Sequence, residues 1–490
     1  MTSAPKAETQ EHSFGQKLAK ATVHYGLGQT MPKVIRFLLL PIFTLYLTPY
    51  DYGVLEISVA LGALLGMLMR LGVPGALVRF YFDHQEGQAL SDYVTSIAGF
   101  ILVWSLCVAG VTAAVGPWVL ELVYPDYPID PYFWLVLVGA LFTSNYDLQL
   151  RLIQARQETA LAAKLNIIRA AISISLSLTL VVGFGMGLLG LLVGELTAGA
   201  VFLVQALHYL RKNLTGSFQR SLIKPSMQFG MGMLPSHLAG ALTPLALYAL
   251  MGRYLSVEAV GIWAIALRFI RPLELVRNAL GTAFFPMYCE IRKAEDTSRY
   301  SQIAENALSS CVLCMIMILG AIAVGPPVIK LFFSSSYHEA ADLLFIIAPA
   351  TLPFMIFNFI NQETSYQKKT QLLSVSSLAA GVCVLGVTWL LAPSFALYGV
   401  GAAYFLSEVV RAIALYALGP KSPVTYPIAR GIRAFFFAVL LGLACFWLRD
   451  AGLLARLLAG VFASFTYLYL LYWVKEPQAI KLVQKIRAKG

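Results

Sequence analysis

The chain has 490 residues, of which 58% are hydrophobic and only 12% charged, with a formal net charge of +11. Soluble globular domains carry about 25% charged residues, so this composition excludes an ordinary soluble domain and describes an all-α, polytopic integral membrane protein. The positive balance is accounted for by loop topology, as set out below, and is not read as nucleic-acid binding.

The polar leader, residues 1–22, shows no cleavable signal pattern. Its end overlaps "FGQKLAKATVHYG" (Phe14–Gly26), which reads either as a short amphipathic surface segment or as the first turns of helix one. About fourteen segments then approach the roughly 20 residues needed to cross a bilayer. They are 23–47, 53–73, 92–117, 131–153, 159–183, 188–210, 228–252, 258–281, 304–332, 341–363, 371–392, 396–418, 432–449 and 453–474. The connections are short. "ELVYPDYPIDP" (Glu121–Pro131) is an acidic, proline-rich connector, and "GFGMG" (Gly183–Gly187) is a tight interhelical turn. With the N-terminus placed in the cytoplasm, about 25 Lys and Arg fall on the inner side, against about four outside: Arg253, Lys330, Arg449 and Arg456. Positive charge collects on the cytoplasmic face, which predicts cytoplasmic N- and C-termini.

The six cysteines lie in apolar segments. "CVLC" (Cys311–Cys314) has no His or charged neighbour to activate a thiol. No metal site, disulfide framework or cofactor is implied. A phosphate-binding loop of the G-x-x-x-x-G-K-[ST] type is missing, so hydrolysis in this chain is not expected to supply energy. Asn213-Leu-Thr215 fits a glycosylation pattern but falls on the expected cytoplasmic side.

The two halves echo each other. "YGLGQTMP" (Tyr25–Pro32) matches "FGMGMLP" (Phe229–Pro235), and "PIFTLYL" from Pro41 matches "PLALYAL" from Pro244, at an offset of about 203. "YLTPYDYG" (Tyr46–Gly53) matches "YLSVEAVG" (Tyr254–Gly261). Both copies run outward, so the repeat is parallel. It predicts two six-helix bundles, 23–210 and 228–418, related by a pseudo-twofold axis along the membrane normal. A cytoplasmic linker, 211–227, joins them, and 419–490 supplies two more spans and a basic tail.

Charges inside apolar segments need a reason. A cation at mid-bilayer costs about 2.5–3.5 kcal/mol on insertion scales. Lys33 and Arg36 sit three residues apart in the first span, and Arg268 and Arg271 repeat that spacing in the eighth, "LRFIRPLELVRNALG". Each pair shares one helix face. Three intramembrane acids, Asp147, Glu195 and Glu408, are candidates for a proton or sodium site. Asp147 lies beside Asn145 and Gln149 and suits a polar cavity wall. Glu195 is flanked by small residues that suit close helix packing. Glu408 has Arg411 at i+3 and suits a structural pair. Asn358, Asn361, Gln362 and Glu363 form a further polar cluster, open to sugar contacts or to a cytoplasmic helix end.

Three stretches carry a resemblance: "FLLLPIFTLYLTPYDYGVLEI" from Phe37, "LGVPGALVRFYFD" (Leu71–Asp83) and "FFPMYCEI" (Phe284–Ile291). Over residues 14–473 the chain resembles the polysaccharide-transport (Wzx-type oligosaccharide flippase) family of the MOP flippase superfamily. The resemblance implies a transporter, and no enzyme, that moves undecaprenyl-pyrophosphate-linked oligosaccharide from the cytoplasmic to the outer leaflet of the bacterial inner membrane by alternating access. It implies a polyprenyl-pyrophosphate-linked glycan and membrane lipids as partners, beside glycan polymerase and other surface-polysaccharide machinery. Fourteen spans also resemble the lipid II flippase branch, whose last two helices help hold the lipid tail. Multidrug exporters of the superfamily usually have twelve.

The family's cavity arginines on helices one, two and eight carry over to Arg36, to Arg70 or Arg79, and to Arg268 or Arg271. With Lys33 they form an expected pyrophosphate clamp, since guanidinium forks match phosphate oxygens and lysine supplies a mobile point charge. Bland readings stand beside it. Arg70 and Arg79 suit interfacial anchors, and Arg271, Glu274 and Arg277 suit an intrahelical salt-bridge ladder. A cation-coupled drug exporter would favour acids and aromatics in its cavity. A membrane polymerase or ligase would carry a large outer loop with catalytic polar groups.

Overall fold

A computed structural model describes residues 30–84, 87–213, 215–294, 297–447 and 453–473. The leader 1–22, the start of the first expected span, and the basic tail beyond 473 lie outside the described residues. Those residues are helical almost throughout, and no strand occurs among them.

Residues 30–38 (α1) and Leu40–Tyr46 (α2) form the first helical stretch, with a turn at Leu39 just before Pro41. Thr48 then starts α3 (Pro49–Arg70). Its hydroxyl accepts from the Asp51 N–H, while the Asp51 carboxylate accepts from the Thr48 N–H, a reciprocal capping box with Pro49 in the first turn. This cap explains why the helix begins before the expected residue 53. At its far end Leu71 and Gly72 take positive φ, 46° and 71°, and a short helix not foreseen in the sequence, α4 (Val73–Phe80), follows with Pro74 in its first turn. Val73 and Leu77 of α4 are fully buried in a core with Tyr93, Ile97 and Leu152.

Four long helices complete this half: α5 (Gln88–Val123), α6 (Tyr132–Ala155), α7 (Thr159–Leu178) and α8 (Gly187–Asn213). At 36 residues, α5 is about 54 Å long and exceeds the ~30 Å hydrocarbon core. A π-helical turn, Thr179–Gly183, leads into the tight turn, where Gly185 and Gly187 hold φ of 65° and 55°. Beyond it come α9 (Ile223–Tyr254), α10 (Val257–Lys293), α11 (Tyr300–Phe332), α12 (Glu339–Ile347), α13 (Thr351–Tyr366), α14 (Gln371–Leu418), α15 (Ile428–Trp447) and α16 (Leu453–Trp473). The expected span 341–363 is broken at Pro349 by a 3-10 turn. Within α14 the expected spans 371–392 and 396–418 are two helices that meet at a kink, where Ala396 leaves helical geometry (φ 49°, ψ −136°) three residues after Pro393.

Among the described residues, eight helices are long and apolar enough to cross a membrane. The eight do not include α6 or α10, which carry Asp147 and Arg151, and Arg268, Arg271, Glu274 and Arg277 respectively. Large apolar side chains stand exposed along many helices, among them Leu122, Val382, Tyr416, Trp447 and Phe462. A protein in lipid need not bury such groups.

The chain divides into two compact units, Met1–Leu245 and Ala246–Gly490. The division falls inside α9, because the first part of that helix packs on the first unit. An added Cβ at Gly230 would stand 2.3 Å from the Leu71 carbonyl oxygen, and one at Gly72 would meet the Gly230 backbone at 2.9 Å. The Ser226 hydroxyl lies 2.9 Å from that of Tyr93, and Tyr124 donates to the Leu245 carbonyl at 2.5 Å. The linker 215–219 is also docked on the start of α5. The buried Asp92 accepts from the Ser217 N–H (2.6 Å) and the Gln219 amide (2.8 Å). The 121–131 connector is similarly tied down, with Tyr127 hydrogen-bonded to Ser58 at 2.8 Å and its phenol pushed up to about 12 by burial. In the second unit α11 is central. It packs against α15 and α16, with Met315, Leu319, Cys445, Tyr467 and Leu471 in one core. The two C-terminal helices are therefore integral to that unit.

Candidate functional site

In the first unit one group of charges gathers on three helices, α1, α7 and α8. Lys33 and Arg36 are one turn apart on α1 and both exposed. An Arg36 Nη2 lies 2.5 Å from Glu195 Oε1 on α8, with side-chain exposures of 52% and 36%. The other carboxylate oxygen accepts from Ser173 on α7 at 2.8 Å. Close packing of α7 and α8 makes this possible. At Gly194 a Cβ would stand 2.6 Å from the Ser177 backbone nitrogen, so the small neighbours of Glu195 do serve helix approach. Arg169 lies one turn before Ser173 on the same face of α7. It donates to Thr143 Oγ1 (3.2 Å) and stacks over the Tyr146 ring at 4.9 Å. Arg169 was not among the residues expected from the sequence. A lone cation in the apolar run "NIIRAAISI" was the available signal.

A second cluster lies one helix over. Arg70 is 3.5 Å from Asp147 and Arg151 is 3.8 Å from it. Asn145 and Gln149, four residues apart, occupy the opposite, buried side of α6. Asn145 donates to the Leu141 carbonyl at 2.9 Å. The three residues thus do not form one polar wall. Arg79 holds both oxygens of Asp83 at 3.0 Å, at i,i+4 and largely exposed.

In the second unit Arg268 is partly buried and Arg271 exposed, one turn apart on α10. Among the described residues, neither Lys33 nor Arg271 has a carboxylate within ion-pair reach. Arg277 is 7% exposed, and its guanidinium lies 3.7 Å from the centre of the Phe354 ring. Arg411 approaches the same ring at 5.3 Å and is 3.0 Å from Glu408. The i,i+3 pairing of Glu408 is therefore present, whereas Arg277 turns to an aromatic ring.

Glu363, read in the sequence only as one of a polar group, is the least exposed carboxylate among the described residues. It is 1% exposed and accepts from Arg292 Nε (3.1 Å), Arg292 Nη2 (3.0 Å), Gln367 (2.7 Å) and the Tyr288 hydroxyl. All its lone pairs are engaged, so it acts as a staple between α10 and α13. Arg430 likewise joins α15 to α11 through both oxygens of Glu305. Among the described residues no group of His, Cys, Asp and Glu is placed to hold a metal. An apolar cavity of about 280 Å³ lies in this unit between α11, α12, α13 and α15, lined by Met315, Ile318, Phe345, Leu352, Phe435, Val439 and Phe446 among others.

The sequence pattern of the polysaccharide biosynthesis protein family matches residues 42–342. The succinoglycan biosynthesis transport protein ExoT of Rhizobium meliloti is 23% identical over 71% of this chain and 67% of its own. The probable flippase AglR of Haloferax volcanii is 23% identical over 79% of this chain and 80% of its own. Among solved structures, an inward closed conformation of the lipid II flippase MurJ superposes with a TM-score of 0.73 at 13% identity, covering 92% of this chain and 99% of the other. An inward-facing MATE-family multidrug transporter of the MOP superfamily gives 0.66 at 13%, covering 81% and 96%. The helical architecture is that of MOP-type transporters, and the chain is a multi-pass membrane protein that belongs to the polysaccharide biosynthesis protein family.

Proposed function

We propose that the protein translocates a polyprenyl-diphosphate-linked oligosaccharide across the inner membrane by alternating access, for assembly of a surface polysaccharide. The observation that carries this reading is the exposure of Lys33, Arg36 and Arg271 on segments expected to span hydrocarbon. Exposed cations at that depth are costly unless water and an anion reach them. A diphosphate is such an anion, and arginine matches its oxygens in paired hydrogen bonds. Arg268 joins Arg271 in this role, while Arg70 and Arg79, each beside an acid, have weaker claims on substrate. The apolar cavity beside α15 suits hydrocarbon and so supports a lipid-linked substrate over a free sugar. The chain is proposed to act without a cofactor and to deliver its cargo to a polymerase, with both termini in the cytoplasm.

Proton or sodium coupling at Asp147, Glu195 or Glu408 belongs to the same proposal. Each carboxylate is held by an arginine, so coupling there requires that arginine to let go. The test is reconstitution in proteoliposomes with labelled undecaprenyl-diphosphate oligosaccharide, and with lipid II as the alternative cargo. Wild-type protein should expose the oligosaccharide to an outside reagent, and an Arg36→Gln/Arg271→Gln variant should do so at least about tenfold more slowly. An unimpaired variant removes the diphosphate role of these cations. Movement of lipid II alone reassigns the substrate.

A further inference from the structure

The carboxylates of this protein differ in how tightly they are held, and the difference is informative. Glu363 is enclosed and fully hydrogen-bonded, so a ligand could displace it only by breaking that shell. Glu195 is the opposite case. Its side chain is 36% exposed, Arg36 is 52% exposed, and one ion pair and one serine hydroxyl hold it. A carboxylate held by two partners and left partly exposed can be exchanged for a ligand's oxygens without opening a buried shell. The arginine beside it is of a different character. Arg169 is held in place by Thr143 and by the Tyr146 ring, independently of the carboxylate. Arg36 thus meets the carboxylate directly, while Arg169 stands one turn from Ser173, the carboxylate's other partner, on the same face of α7. Displacing that carboxylate frees the Arg36 guanidinium, with Arg169 on the neighbouring helix.

We propose that Glu195 is a resident stand-in for phosphate. On this reading the diphosphate of the incoming ligand displaces its carboxylate from Arg36, and Arg169 is the second, pre-positioned cation of that subsite. A carboxylate and a phosphate offer a guanidinium the same pair of acceptor oxygens, so the exchange conserves Arg36's hydrogen bonds and brings more negative charge to the two cations. In the empty protein Glu195 shields a cation that would otherwise stand alone at membrane depth. The inference rests on the flippase reading for the identity of the ligand. The exchange itself requires only a phosphate-bearing one.

The experiment measures binding of two probes, undecaprenyl diphosphate and inorganic pyrophosphate, to the full chain in lipid nanodiscs, with thermal unfolding recorded for each variant. Glu195→Gln keeps the shape and removes the competing charge, and it is expected to bind the lipid about tenfold tighter. Ser173→Ala only loosens the hold on Glu195 and is expected to tighten binding by about threefold. It keeps the test open should the Glu195 variant fold poorly. Arg169→Gln is expected to weaken binding about tenfold, with partial rescue by Arg169→Lys. Unchanged or weaker binding in folded Glu195→Gln or Ser173→Ala overturns the exchange while leaving the flippase reading intact. The expected order with inorganic pyrophosphate, but no lipid binding, upholds the exchange and overturns the lipid-linked cargo. Binding of neither probe by any folded variant overturns both.

Discussion

Removing Glu363 should be among the most damaging single changes in the second unit. Its carboxylate is 1% exposed, and Arg292, whose side chain is 20% exposed, gives it two hydrogen bonds, at 3.0 and 3.1 Å. Tyr288 and Gln367 complete its shell. Glu363→Ala would strand a mostly buried guanidinium, a situation that costs about 3–5 kcal/mol when a buried pair is broken. The Tyr288 hydroxyl would keep only its 3.2 Å contact to Ser422, and the residual Arg292 contacts would be the Tyr300 hydroxyl at 3.3 Å and the face of the Tyr366 ring. Arg292→Ala should cost somewhat less, about 2–4 kcal/mol, because water reaches part of the site and Tyr288 and Gln367 still satisfy the acid. The double variant should cost clearly less than the sum, with a coupling of at least about 1 kcal/mol, as expected for contacting groups. Denaturant titration in mixed micelles, followed by helix content, gives the four stabilities needed. A Glu363→Ala loss below 1 kcal/mol, or additive singles, would show that the staple contributes nothing beyond its separate parts.

Three further changes probe other links. Gly230→Ala forces a methyl to within 2.3 Å of the Leu71 oxygen and should destabilise the first unit by about 1–3 kcal/mol through overpacking; equal melting temperatures for variant and wild type would refute that close approach. Arg430→Ala breaks a partly exposed two-point contact to Glu305. It should cost about 1 kcal/mol and speed proteolysis in the 419–427 connector, and an unchanged cleavage rate would argue against α15 being held there. Ala438→Phe fills the apolar cavity. It should weaken binding of undecaprenyl diphosphate while leaving inorganic pyrophosphate binding unchanged, and equal effects on both probes would separate the cavity from the lipid tail.

Much of the architecture was legible in the chain itself. Runs of apolar residues of bilayer length are a one-dimensional property, and helices lie on the expected segments wherever residues are described. Pairs that are local in sequence were equally readable, such as Glu408 with Arg411 and the glycine turn at 183–187. The family resemblance also rested on local stretches, and the comparisons bear it out. Less local features were not readable. The helix Val73–Phe80 depends on Gly72 turning the chain so that Val73 and Leu77 reach Tyr93 and Ile97.

The partners of the charges mark the boundary most clearly. That Lys33 and Arg36 share a helix face follows from the 3.6-residue period, and composition alone made an intramembrane cation conspicuous. That Arg36 meets Glu195, 159 positions away, follows from no pattern along the chain. Nor does the meeting of Arg292 with Glu363, 71 positions apart. Hydrogen bonds along a helix and the transfer of apolar side chains out of water are properties of short stretches, so they can be read from a stretch. An ion pair within 4 Å depends on the packing of several helices at once, and small residues such as Gly194 and Gly230 set that packing only through the neighbours they allow to approach.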